Sequence, residues 1–411
     1  MMAEPAICTA QRWLSIVGIG EDGVEGLSSV GRQLIGSAEL VVGGARHLEL
    51  ANDLIRGRRL VWPSPIGGAF PEIERYRGRY VAVLASGDPF HFGVGKQIAA
   101  FVPVDEFVCL PQPSAFSFAA ARMGWALQDV SLVTLHGRAL NGIIRHLQPG
   151  ARILALSWDG ATPRKLSELL AAHRMGQTRM TVLEAMGGAR ERVRHSTASN
   201  FRIEEIQPLN TIAIEVVAEP EAAIIPLAPG LDDDWFEHDG QLTKREIRAV
   251  TLSSLQPLRG QLLWDIGLGA GSVAIEWLLQ HPSLRAIGIE ASADRAGRAA
   301  RNAAALGAPE LEIVEGSAPQ ALVGLARPDA VFIGGGMMDD GVFDAAWSAL
   351  KSGGRLVANA VSLETEVRLA GYFQQLGGDL IRLQVTRADR VGAMSGWRPA
   401  MPVTQWRVRK P

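Results

Sequence analysis

The chain carries only two cysteines, Cys8 and Cys109, among 411 residues. Two such thiols make no disulfide framework, and no CxxC or Cys/His cluster offers a set of zinc ligands. An excess of one charge is also missing: 41 Lys and Arg against 43 Asp and Glu leave a formal net charge of −2. Without a long basic run the electrostatic footprint of a nucleic-acid binder is absent, so an anionic ligand must meet local arginines. No apolar run is long enough to span a bilayer. The opening MMAEPAICTAQRW has Glu4 early and no basic stretch before an apolar one, which predicts no signal peptide. These absences lead to the expectation of a soluble, cytoplasmic protein.

What is present is glycine, 45 residues of it, within 47% hydrophobic and 20% charged residues. The length predicts two or three domains. In the first half, β-rich runs at 14–20, 79–86, 106–110, 130–135, 151–157, 179–185 and 210–218 alternate with helical stretches such as SAFSFAAARMGWAL and TPRKLSELLAAHR. That alternation predicts α/β layers with largely parallel strands. AEPEAAIIPLAPGLDDDWFEHDG, residues 218–240, reads as a linker and the entry to a second domain. Thr243 with Glu246 three residues on is a capping-box pattern that predicts a helix start. A second α/β series follows, with strands at 261–266, 285–290, 310–315, 329–333 and 354–360. Helices are expected at 271–280, 293–306, 341–350 and 363–376. DLIRLQVTR and PVTQWRVRK read as two late strands joined by a loop. The expected domains are 1–217 and 236–411, with 218–235 as linker.

The most telling stretch is LLWDIGLGAGSVAIE, residues 262–276. Glycines between a strand and a helix remove Cβ atoms where a ligand must touch backbone, and they aim free helix N–H groups at an anion. A dinucleotide fingerprint needs a third glycine at position 272, which is Ser272. The pattern is instead Asp265-x-Gly267-x-Gly269-x-Gly271. It resembles the first motif of the Rossmann-like S-adenosylmethionine (SAM) methyltransferases. SAM has no pyrophosphate; its anionic end is one carboxylate beside an ammonium and a sulfonium. Asp265 at the strand tip can answer the cationic side, and the turn amides the carboxylate. Glu290 ends the next strand, where a carboxylate can accept both ribose hydroxyls, a device that NAD sites share.

FEHDGQLTKREIRAV, LLWDIGLGAGSVAIEW, VEGSAP, PDAVFIGGG and GGRLVANAVSLETE, in order across 236–366, resemble the C15-methylating, decarboxylating enzymes of corrin (cobalamin) biosynthesis. By that resemblance the SAM contacts are Thr243, the turn Gly267, Leu268, Gly269, Ala270 and Gly271, then Glu290 and Ala318. IVGIGEDGVEGLS, SGDPFHFG, PQPSAFSFAAARMGW and LHGR resemble a different fold, the two-lobed tetrapyrrole methyltransferases that bind SAM between lobes. Gly87, Asp88, Pro89, Ser114 and Ala115 match its SAM-contact motifs. Many members read GxGPGD where this chain has Glu21-Asp22 after Gly20. Fused, the halves resemble the precorrin-6Y C5,15-methyltransferase (decarboxylating) family.

The resemblance implies two SAM sites and a precorrin methylated at C5 and C15, with loss of carbon dioxide from the C12 acetate arm (precorrin-6B to precorrin-8X). The sulfonium is already an excellent leaving group, so alignment is the main demand, no catalytic acid or base is assigned, and no metal is expected. A substrate with several carboxylate arms calls for arginines, which pair with carboxylates bidentately. Candidates are Arg138, Arg387, Arg390 and Arg398, with Arg46, Lys244 and Arg245 behind them. A homo-oligomer is expected, without nucleic-acid or membrane partners. Three other readings compete. An NAD-dependent oxidoreductase is opposed by Ser272, and an RNA methyltransferase by the near-neutral charge. A non-catalytic SAM-sensing module differs by predicting binding without turnover.

Overall fold

The computed structural model describes residues 12–411; Cys8 and the first residues lie outside them. The described chain forms two compact units. One takes the chain up to Arg138 together with Gln148–Ala223; the other takes Ala139–Leu147 and Ile224–Pro411. The division between Ala223 and Ile224 falls inside the stretch read as linker. The short segment Ala139–Leu147, by contrast, leaves the first half of the sequence to pack with the second unit. There the Arg145 guanidinium donates to Gly307 O at 2.6 Å and to Glu310 at 2.5 Å.

The first unit holds two sheets. The first comprises β1 (Leu14–Ile19), β2 (Leu40–Gly43), β3 (Arg58–Val61), β4 (Val81–Ser86) and β5 (Phe107–Leu110) in the order β3-β2-β4-β1-β5, all parallel. Every residue of β1 and β2 is buried, as expected for a parallel sheet covered on both faces. The second comprises β6 (Ser131–Thr134), β7 (Arg152–Leu156), β8 (Arg179–Glu184), β9 (Arg192–Thr197) and β10 (Asn210–Glu215) in the order β6-β7-β10-β8-β9. Only β6 and β7 are parallel; the rest of this sheet is antiparallel, against the expectation of mostly parallel strands. The sequence reading also missed β2, β3 and β9. β2 is four residues long, too short for a period to show, and β3 and β9 are half-exposed and rich in arginine.

The second unit has one seven-stranded sheet. Its strands are β11 (Leu262–Ile266), β12 (Arg285–Glu290), β13 (Glu312–Glu315), β14 (Ala330–Ile333), β15 (Arg355–Ala360), β16 (Asp379–Leu383) and β19 (Val403–Arg409). The order is β13-β12-β11-β14-β15-β19-β16, with β19 running antiparallel to both neighbours. The chain winds from β11 toward β13 on one side and from β14 toward β16 on the other. The crevice between the ends of β11 and β14 is therefore the topological switch point, where open α/β sheets bind ligands. Trp264, Ile266, Val331, Ile333, Phe343 and Trp406 build the core on one face.

Two expectations need correction. The stretch between the late strands is itself a hairpin, β17 (Thr386–Val391) with β18 (Met394–Pro399), forming a separate two-stranded sheet. Nor does the capping box form. The helix Arg245–Leu255 starts two residues later, with Lys244 at its N-cap and no side-chain cap of its own. Asp233 supplies the acceptor instead, taking the Arg245 N–H at 3.0 Å. A carboxylate delivered from the preceding segment does the work a local Thr was expected to do.

Candidate functional site

In the second unit the residues expected to touch a nucleoside converge at the C-terminal ends of β11, β12 and β13. Gly267 has φ +75°, and a Cβ there would lie 2.8 Å from Gly335 N. Backbone meets backbone across the switch point, so this glycine and the GGG stretch after β14 answer each other. Gly269, with φ +57°, differs: a Cβ there would meet nothing nearer than 4.0 Å, at Gln241 O and Gly267 O. Its bare face is open, bordered by the segment that leads to Thr243.

Most amides of this turn are already engaged. Gly267 and Leu268 donate to Ile289 O, Gly271 donates to Leu268 O, and Gly269 donates to Glu290 Oε2 at 2.8 Å. Ala270 N–H has no acceptor among the described residues, and Ser272 and Val273 lie in the first turn of the helix Ser272–Gln280, where amides lack intrahelical acceptors. These three are the donors available to an anion. Asp265 is 1% exposed. Its Oδ2 accepts Ala274 N–H at 3.1 Å, bracing the helix start, while the buried Oδ1 has no hydrogen-bond partner among the described residues. Burial pushes this carboxyl up to about 8; the Ala274 N–H works against that rise and Glu290 adds to it.

Glu290 also accepts Ser292 N–H at 3.0 Å, and its carbonyl takes Gly316 N–H at 2.8 Å. The loop that carries Ala318 is thereby moored to the same residue. Thr243 is held from behind: its carbonyl accepts from the buried Arg248, whose Nε donates to Glu276 at 2.5 Å. Glu276 in turn accepts the amides of Gly230 and Leu231. Asn302 donates to Ala270 O at 2.9 Å and to Glu237 O at 3.0 Å, tying the turn to the entering segment. Arg248, Glu276, Asn302 and the Gly334–Gly336 stretch escaped the sequence reading as site residues; the FIGGG run was a signal, the other three have none.

The first unit gathers its expected residues at the C-terminal edge of the parallel sheet. A Cβ on Gly18 would sit 1.9 Å from Gly87 O and 2.8 Å from Gln112 N. The end of β1 thus touches the loops after β4 and β5 through backbone alone, which brings Gly87, Asp88 and Pro89 beside Ser114 and Ala115. Asp88 Oδ1 accepts Phe90 N–H at 2.9 Å, closing the turn. The Ser114 hydroxyl caps the helix Ala115–Met123 by accepting Ser117 N–H at 3.2 Å. Burial, then Asp88, raises the thiol of Cys109 on β5 to about 11.

The candidate substrate arginines are scattered. Arg387 donates to Glu246 at 2.5 Å, three residues from Thr243. Arg398 pairs with Asp389 at 2.9 Å, and Arg390 lies on the same exposed hairpin. Arg138 ends its stretch of the first unit and forms no ion pair among the described residues.

Residues 14–201 match the family of tetrapyrrole (corrin/porphyrin) methylases, and residues 234–410 match the precorrin methyltransferase domain. A precorrin-6Y C(5,15)-methyltransferase [decarboxylating] from Sinorhizobium is 55% identical over 404 residues, 98% of this chain and 97% of that protein. The chain belongs to the precorrin-6Y C(5,15)-methyltransferase (decarboxylating) family. Two relatives from Salmonella typhimurium are single-activity enzymes. A cobalt-precorrin-6B C(15)-methyltransferase (decarboxylating) is 34% identical over 39% of this chain and 85% of its own length. A cobalt-precorrin-7 C(5)-methyltransferase is 27% identical over 44% of this chain and 88% of its own length. As a member of this family the chain is α/β throughout, a tetrapyrrole methylase domain followed by a methyltransferase domain, both of SAM-dependent type. The residues at the β11–β12 edge fit SAM: bare backbone at Gly269, donors at Ala270, Ser272 and Val273, and the unpartnered acceptor Asp265 Oδ1. Among the described residues no helix is long and apolar enough to cross a membrane, and no cluster of His, Cys, Asp or Glu is suited to a metal.

Proposed function

We propose that the chain methylates a precorrin twice, at C5 in the first unit and at C15 in the second, with loss of carbon dioxide from the C12 acetate arm. The observation that carries this reading is the open backbone at Gly269 on the C-terminal edge of the second unit's sheet, beside the close backbone packing that sets Gly87 against Pro113 and Ser114 on the C-terminal edge of the first unit's parallel sheet. SAM, when bound, supplies a methyl group on a sulfonium. The protein's task is to align it with a ring carbon and to keep water away. In the second unit Thr243, the turn from Gly267 to Gly271, Glu290 and Ala318 would hold the nucleoside and amino-acid ends. Asp265, ionised, would stand on the cationic side. In the first unit Gly87, Asp88, Pro89, Ser114 and Ala115 would do so. The departing carboxylate leaves its electron pair to the conjugated macrocycle, and no lysine is required as an electron sink.

The functional halves on this reading are 1–217 and 236–411, working in the cytoplasm. We also infer a homo-oligomer, from the exposed Met394, Trp397 and Met401 at the hairpin, each at least 70% exposed. The deciding experiment is mass spectrometry of product made from a precorrin pool by the full chain. Two methyl groups gained and one carbon dioxide lost is the expected change. Calorimetric titration with SAM is expected to give two sites per chain; one site would refute the two-centre reading.

A further inference from the structure

A cluster of charged side chains in the first unit is used by none of the contacts above. Glu21, just after β1, pairs with Arg46, just after β2. The same carboxylate lies 3.6 Å from Arg190, in the loop between β8 and β9. One anion thus serves two cations, and neither guanidinium is paired with another carboxylate among the described residues. The accessibilities are unequal. The Glu21 side chain is 8% exposed, Arg46 36% and Arg190 74%. An arriving anion therefore meets guanidinium and not carboxylate. Arg46 Nη2 also donates to the exposed hydroxyl of Ser86 at 3.0 Å, and that hydroxyl lies 2.8 Å from His47 Nε2. Ser86 directly precedes Gly87.

We propose that Arg46 and Arg190, with the Ser86 hydroxyl, form a carboxylate-anchoring subsite for one acidic arm of the tetrapyrrole in the first unit. Glu21 holds the two guanidiniums apart from solvent anions and ready for exchange. The inference rests on the C5-methylating reading of this unit. Arg46 and Arg190 come from the two different sheets, so an arm seated between them is gripped from both sides, and planar guanidinium forks suit a carboxylate. The charge of the cluster is steady. Burial, then the Arg46 cation, pushes the His47 imidazole down to about 4, so it stays neutral near pH 7 and leaves a net charge of +1 from two Arg and one Glu. As a neutral ring it can accept the Ser86 O–H, which turns the serine lone pairs toward Arg46.

The test uses the full chain and reads the C5 and C15 methyl groups of the product separately by mass spectrometry. Arg46→Gln and Arg190→Gln are each expected to raise KM for the precorrin in the C5 step by about tenfold, the loss of one charge-assisted pair. The C15 step and KM for SAM stay unchanged. Arg46→Lys recovers part of the loss. Glu21→Gln gives the sharper result: it frees both cations and lowers KM severalfold, where a merely structural Glu21 would raise it. Unchanged KM in both Arg variants, or a Glu21→Gln variant with raised KM, overturns the subsite. Anaerobic titration with uroporphyrinogen, followed by tryptophan quenching, reads the anchoring without turnover, and the Arg variants are expected to bind it more weakly. A wild-type enzyme that never adds the C5 methyl would count against the C5 reading, while this titration still decides the subsite.

Discussion

Glu290 Oε2 accepts the Gly269 N–H at 2.8 Å, joining the acid that ends β12 to the turn that follows β11. Its second oxygen and its carbonyl hold Ser292 and Gly316. Three strand ends meet at this one residue, and each carries a residue proposed to touch SAM: Gly269 after β11, Glu290 on β12 and Ala318 after β13.

Glu290→Gln sets an amide NH2 against one of two backbone donors. SAM affinity in the second unit is expected to fall about tenfold or more, roughly 1.4 kcal/mol. Calorimetry on the full chain should show one weakened site beside one unaltered site. Equal weakening of both would contradict the assignment.

Gly267 and Gly269 should separate stability from binding. Gly267→Ala drives a Cβ into Gly335 at positive φ, and a loss of about 1–3 kcal/mol in stability is expected. Gly269→Val has room for its Cβ, so the added side chain fills the open face instead. It should abolish SAM binding in the second unit and leave the first unit's site intact, at a backbone cost of about 1–2 kcal/mol. Denaturation curves and SAM stoichiometry distinguish the two.

Asp265 makes the second unit pH-dependent. Its folded carboxyl titrates at about 8, far above its unfolded value, so the folded state holds the proton more tightly. The stabilisation is fully present below about pH 4 and is lost as pH rises toward 8. Asp265→Asn should flatten the fall in unfolding midpoint between pH 5 and pH 8, by urea titration of the full chain. It should also weaken SAM. Binding of the cationic nucleoside to wild type at neutral pH should release a proton, visible as a dependence of the calorimetric heat on the buffer's ionisation enthalpy.

Arg248 and Glu276 are both buried and face each other at 2.5 Å. Arg248→Met strands a carboxylate, and a loss of about 3–5 kcal/mol is expected. Glu276 retains the Gly230 and Leu231 amides, so the fold should survive with a loosened Thr243 segment. The double variant Arg248→Met/Glu276→Leu should be more stable than either single one, measured as a double-mutant cycle.

Much of this molecule was legible beforehand, for local reasons. β11, β12, β14 and β15 are buried apolar runs bounded by glycine or polar turns, and their predicted limits lie within a residue of those observed. β2 was not, since four residues are too few to show a period, and β3 and β9 were not, since their arginines and partial exposure break the apolar pattern. The cap on Arg245 was misplaced because Asp233, twelve positions upstream, competes successfully with Thr243.

Sequence alone determined where glycine follows a strand, and hence where backbone lies bare: Gly87, Gly267 and Gly269 could all be marked from their neighbours. Which bare strip meets which could be decided only by strand order. Gly267 touches Gly335 because β14 lies against β11, and Gly18 touches Gly87 because β4 lies against β1. Glu21 likewise reaches Arg46 and Arg190 only through the packing of its loop. Side-chain periodicity reports which face of an element is buried; it holds no record of the partner, which is settled when distant loops close on one another.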